Sequence, residues 1–139
     1  MTKVDFYDES FRATDTYNTF IKDNPSKAML NIRASGASVA VPVSDVKIIV
    51  SKDIEDYKVI FYEGYTDISG MINSIGLPTP SITENDLDVP NGQSYDIEAI
   101  YEKDNIDRKY TVLMYPGICT VQNINIVPTL SVGGFYYGS

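Results

Sequence analysis

The sequence predicts an all-β fold, an antiparallel sandwich of about seven strands, with a short N-terminal helix and an extended C-terminal tail. Three observations carry this. From residue 28 onward apolar residues recur at every second position in several short runs. Turn-forming clusters such as TDISG, VPNG, KDNIDR and PG separate those runs. The chain has 139 residues, 43% hydrophobic and 22% charged, which suits one globular domain with its own core.

The first element differs from the rest. In DESFRATDTYNTFIKDNP, Phe11, Thr14, Tyr17 and Phe20–Ile21 fall at helical spacing. Asp8 or Ser10 is placed to cap the helix, and Asn24-Pro25 to end it. The period then changes to two. Leu30, Ile32 and Ala34 alternate with Asn31 and Arg33, and Val46, Ile48 and Val50 alternate with Lys47 and Ser51. YKVIFYEGY is a third strand, followed by the turn TDISG. MINSIGLPTPSITENDLDVPNG holds three prolines. It reads as a long loop or an edge segment, because proline cannot donate to an inner ladder. In SYDIEAIYE, Tyr95, Ile97, Ala99 and Tyr101 oppose Asp96, Glu98 and Glu102, with Ile100 as the exception. KYTVLMY and CTVQNINIV are the last two strands, joined near Pro116-Gly117, and SVGGFYYGS is a Gly-aromatic tail. The expected organisation is a helical arm over 1–27, a sandwich over 28–130 and a tail over 131–139.

Composition narrows the chemistry. Net charge is −8, with 19 acidic against 11 basic residues, and no basic stripe reverses it. Such a surface repels phosphate backbones, so nucleic acid is not an expected partner. No apolar run reaches transmembrane length, so membrane insertion is not expected. The start MTKVDFYDESF lacks the apolar core of a signal peptide, so synthesis in the cytoplasm is expected. The chain has no histidine. That removes Ser-His-Asp and Cys-His nucleophilic sites, most zinc sites and the commonest general base. No cofactor, metal or catalytic residue is expected.

Single residues read blandly for the same reason. Cys119 has no histidine to activate it and is expected as a small buried apolar residue. Glu84, Asp86 and Asp88 hold spaced oxygen ligands but lack the calcium-loop pattern, so a solvated acidic loop is the expectation. Asp67 and Gly70 suit a turn, although Asp67 with Glu63 is the carboxylate pair that acid–base work would draw on. Phe11, Tyr17 and Phe20 at the front, with Phe135, Tyr136 and Tyr137 at the back, are the candidate assembly contacts, since aromatic side chains anchor interfaces.

Several segments, taken in order, resemble a known family. They are Pro42 to Ile48, Thr66-Asp67 with Gly70, Leu77-Pro78 with Pro80, Tyr95 to Ile97, Gly117 to Gln122, and Val127-Pro128. Over about residues 28–130 the set resembles the Ig-like, prealbumin-like (transthyretin-like) or carboxypeptidase-regulatory-like β-sandwich of clostridial and related Firmicute proteins. YEKDNIDRKY departs from that pattern and implies a longer penultimate hairpin. The resemblance implies a non-catalytic module of cell-wall, spore or phage proteins. The expected role is a structural or binding subunit of an extracellular assembly: a capsid decoration, tail or baseplate component of a phage or phage-tail-like particle. Its partners would be other particle subunits or further copies of itself, and its final location the virion. The alternative is a spore-surface or peptidoglycan-binding accessory module, with peptidoglycan or a cell-surface glycan as ligand. A carboxylate-dependent cell-wall hydrolase ranks third.

Overall fold

The computed structural model describes residues 4–6, 15–36, 41–55, 57–81 and 92–126. The elements in order are β1 (Val4–Phe6), α1 (Asp15–Asp23), β2 (Ser26–Ser35), β3 (Lys47–Ile54), β4 (Tyr57–Tyr65), β5 (Met71–Thr79), β6 (Gln93–Tyr101), β7 (Ile106–Met114) and β8 (Cys119–Asn125). They form two sheets, ordered β1-β4-β3-β6-β7 and β5-β2-β8. The all-β sandwich expected from the period-two runs is what the chain forms.

Alternation explains the core. Leu30, Ile32, Leu77 and Ile124 from the smaller sheet meet Ile48, Val50, Tyr95, Ile97 and Met114 from the larger one, all fully buried. Each such side chain contributes roughly 1.5–3 kcal/mol by leaving water. Tyr95 also reaches across: its hydroxyl donates to the Pro78 carbonyl at 2.6 Å. At the margin of that interior, the half-buried Lys52 lays its stem toward Tyr95 and donates from Nζ to the Ser94 carbonyl at 2.8 Å. Burial lowers the Lys52 pKa, while Asp96 and Asp53 oppose the shift.

The β3–β4 hairpin extends past the smaller sheet and leaves Ile54 and Val59 to be covered. Helix α1 does this with Tyr17 and Phe20, and the Phe20 ring packs tilted at 50° against Phe61, 5.9 Å between centroids. The helix stops where the sequence placed its end. Asn24 Nδ2 donates to the Phe20 carbonyl at 2.8 Å, and Pro25 follows. Asn24 Oδ1 then accepts from Gln93 Nε2 at 2.9 Å, fixing the helix end to the start of β6. Asp15 in the first turn and Lys22 in the last complement the helix dipole.

Three features depart from expectation, and the edge reading of the proline-bearing segment is met by β5. β1 pairs in parallel with β4 through Val4, Asp5 and Phe6, although no strand was expected before residue 28; three residues carry no readable period. The segment read as a loop or edge contains β5, an edge strand on β2. Strands β7 and β8 do not form one ladder: the Pro116-Gly117 turn passes the chain to the other sheet, where β8 runs parallel to β2. The β6–β7 hairpin is tight rather than long. Residues 102–105 alone join Tyr101 to its partner Ile106, with Asn105 in the left-handed region at φ 54°.

Candidate functional site

The turn motif is structural. The Thr66 hydroxyl donates to the Val43 carbonyl at 2.8 Å and accepts from the Val46 N–H at 3.0 Å, and the residue is buried. Asp67 Oδ1 accepts from the N–H groups of Ser69 at 2.9 Å and Met71 at 3.0 Å. Gly70 has φ +74°, and a Cβ there would lie 2.5 Å from the Ala34 carbonyl oxygen. The second carboxylate of the expected pair, Glu63, is held elsewhere, 2.9 Å from Lys47 Nζ. That hydrogen bond raises the Lys47 pKa. Asp67 and Glu63 therefore each have a partner of their own.

The larger sheet brings together a different pair. Its outer face carries an open groove of about 460 Å³ lined by Ser51, Asp53, Lys58, Asp96, Glu98 and Lys109, with Tyr110 and Thr111 beside them. Alternation along β3, unbroken against β6, turns the small, buried Ser51 into this groove, while the extra residue of the β3–β4 register shift, Phe61, falls on β4. The Glu98 carboxyl is pushed above its ordinary range by partial burial first, then by a hydrogen bond to Asp107 and that group's negative charge. Lys109 and Lys58 pull it the other way. Like charge this close disfavours the ionised form of Glu98. Sequence reasoning missed the pair because its members lie nine positions apart. The signal was the hairpin register, which sets Glu98 opposite Lys109 and Ile100 opposite Asp107.

The smaller sheet is of another kind. β2, β5 and β8 contain no Asp or Glu, and their charged residues are Lys27 and Arg33. Cys119 lies on its outer face, exposed, which corrects the expectation of burial. Along β8 the inward positions are the even ones, ending with the buried Ile124, so Cys119, Val121 and Asn123 point out. Asn31 spans this face: its Nδ2 donates to Cys119 Sγ at 3.5 Å, and its Oδ1 accepts from the Ser74 N–H at 2.7 Å. Val121 and Ile118 are each 52% exposed.

Of the candidate assembly contacts, Tyr17 and Phe20 face the domain's own β3–β4 hairpin. Phe11, Phe135, Tyr136 and Tyr137 lie outside the described residues, as do Glu84, Asp86 and Asp88. Among the described residues no group of three or more acidic or Cys side chains is placed to hold a metal ion. Among them, too, no helix is long and apolar enough to cross a membrane.

No family model and no curated protein matches this sequence. Among solved structures, the chain is similar to the dioxygenase domain of a dioxygenase carbohydrate-binding protein fusion from the cellulolytic bacterium Streptomyces sp. SirexAA-E. Identity is 6%, coverage 75% of this chain and 81% of that chain, and the TM-score 0.48.

Proposed function

We propose that this chain is a non-catalytic structural subunit of an extracellular assembly, built on a prealbumin-like sandwich and acting in a phage or phage-tail-like particle. The observation that carries the reading is the division of charge between the sheets. An acidic chain keeps one whole sheet free of carboxylates and leaves Val121 and Ile118 half exposed on or beside it. Contact surfaces are depleted in charge at their centres, and a like-charged protein associates where its charge is lowest. Support for a non-catalytic role comes from the Asp67 and Glu63 carboxylates, which the turn and Lys47 engage.

The test is mass spectrometry of two purified fractions from the source organism, particles released by lysis and spores. Stoichiometric recovery in the particles is expected. Recovery in spores alone overturns this reading in favour of wall binding. The groove over the larger sheet favours that second reading. Its carboxylates, lysines and Tyr110 are the hydrogen-bonding side chains that a glycan or peptidoglycan strand would meet. Cosedimentation of the chain with purified peptidoglycan, lost on Glu98→Ala with Lys109→Ala, is its signature.

A further inference from the structure

Among the described residues, four strands end a sheet: β1 and β7 in the larger, β5 and β8 in the smaller. An edge strand presents unpaired N–H and C=O groups, and proteins blunt such edges with short strands, charges, bulges or proline. Three of the four are blunted. β1 has three residues. β7 carries Asp107, Arg108 and Lys109 in succession. β5 is bulged at Ser74, which sits at φ +64°, and contains Pro78. β8 has none of these devices. Its sequence CTVQNIN is uncharged, without Pro or Gly, and pairs with β2 in unbroken register from Cys119 to Asn125.

The backbone shows what this edge offers. The Ile118 carbonyl and the Ile126 N–H both bond to β2, so the even residues face inward along the ladder. Cys119, Val121 and Asn123 therefore turn their N–H and C=O groups away from β2. Gln122 Nε2 occupies the Asn123 carbonyl at 3.0 Å, and the Asn125 N–H reaches the Tyr110 hydroxyl at 3.3 Å. Among the described residues, both groups of Cys119 and Val121, with the Asn123 N–H, remain for a partner strand.

We infer that this edge pairs with the same edge of a second copy, antiparallel about a two-fold axis, joining two small sheets into one. Charge selects the occupant. Each copy carries −8, so most approaches of two copies oppose carboxylate to carboxylate. Pairing through β8 opposes none, because the smaller sheet holds no acid and the strand itself no charge. The contact is self-complementary and closes at two copies, which distinguishes it from an open fibre. This rests on the reading of the chain as an assembly subunit and names its first partner.

The test is sedimentation equilibrium of the full chain over a concentration series, on the unaltered protein, Val121→Lys, and Leu113→Lys as a control on the opposite sheet. A dimer is expected for the first and third. Val121→Lys is expected to lose the dimer while keeping its circular dichroism and melting temperature, because the Val121 side chain points out of the sheet and is 52% exposed. Hydrogen exchange is the second readout: protection of the Cys119, Val121 and Asn123 amides should rise with protein concentration. A dimer that survives Val121→Lys overturns the inference. So does protection that is independent of concentration, which would mean that the chain's own residues, such as 127–139, cover the edge. An unaltered protein that stays monomeric yet is stoichiometric in lysis particles also ends the β8 pairing, while leaving the particle reading intact.

Discussion

The two sheets present similar inner faces and opposite outer ones. Inside, Ile48, Val50 and Ile97 meet Leu30, Ile32 and Leu77 in one aliphatic core. Outside, β3, β6 and β7 carry Asp53, Asp96, Glu98, Asp107 and Lys109, whereas β2, β5 and β8 carry Lys27, Arg33 and amides. Burial constrains the first pattern and not the second. A sheet exposed to water needs polar groups, but nothing in folding requires one sheet to take nearly all the charge. The difference therefore points beyond stability, to what each face meets.

Breaking the ties between the sheets gives the largest effects. The β4–β5 turn crosses from one sheet to the other, and the Gly70 carbonyl accepts from the Ala34 N–H at 2.7 Å. Gly70→Ala adds left-handed strain and a Cβ against the backbone of β2, and should cost about 3 kcal/mol or more in urea unfolding. Gly117 has the same φ of +74° but open space around a Cβ. Gly117→Ala should cost only the backbone strain, about 1 kcal/mol. Equal losses at the two glycines would show that the close approach to Ala34 does not matter. Next is Tyr95→Phe, which removes the hydroxyl bond to Pro78 and leaves that carbonyl without its donor. A loss of about 1–2 kcal/mol is expected. A neutral result would mean that the bond between the sheets is replaced by water.

These ties also mark how far the sequence could be read. The inner face was legible residue by residue, because burial imposes period two on Leu30 to Ala34 and on Tyr95 to Ala99. The Thr66-Asp67 and Gly70 turn was legible because few residues take those conformations. What was hidden depends on which strands meet. The CTVQNINIV run predicts a strand but not that it lies parallel to β2, and with no partner assigned its inward side is undefined. That is why Cys119, apolar and β-compatible, reads as buried and is found exposed. Glu98 and Asp107 are likewise ordinary polar positions until the hairpin register sets them side by side.

Smaller effects separate the outer faces. On the larger sheet, the Glu98 pKa is raised above the ordinary 4.5, so the native state holds that proton more tightly than the unfolded chain. Its contribution to stability is therefore full below the ordinary value and falls away as pH rises through the folded value. Glu98→Gln removes the charge facing Asp107 at neutral pH. It should stabilise the protein there by roughly half a kcal/mol or less, and flatten the acid side of the stability profile. A variant less stable at neutrality would show that Lys109 and Lys58 outweigh Asp107 in holding Glu98.

On the smaller sheet the corresponding change is Cys119→Ala. The side chain is exposed and has one weak contact, from Asn31 Nδ2. Its removal should alter unfolding by roughly 0.5 kcal/mol or less, where a buried cysteine would cost about 1 kcal/mol or more. Labelling of the native protein by a thiol reagent sharpens this. A monomer should react at the rate of an accessible thiol. A dimer joined through β8 should react more slowly, and the rate should climb on dilution, because Cys119 heads the strand that forms the contact. A rate that is slow at every dilution would instead place something over β8 within a single chain, and the acid-free face would then belong to the fold rather than to assembly.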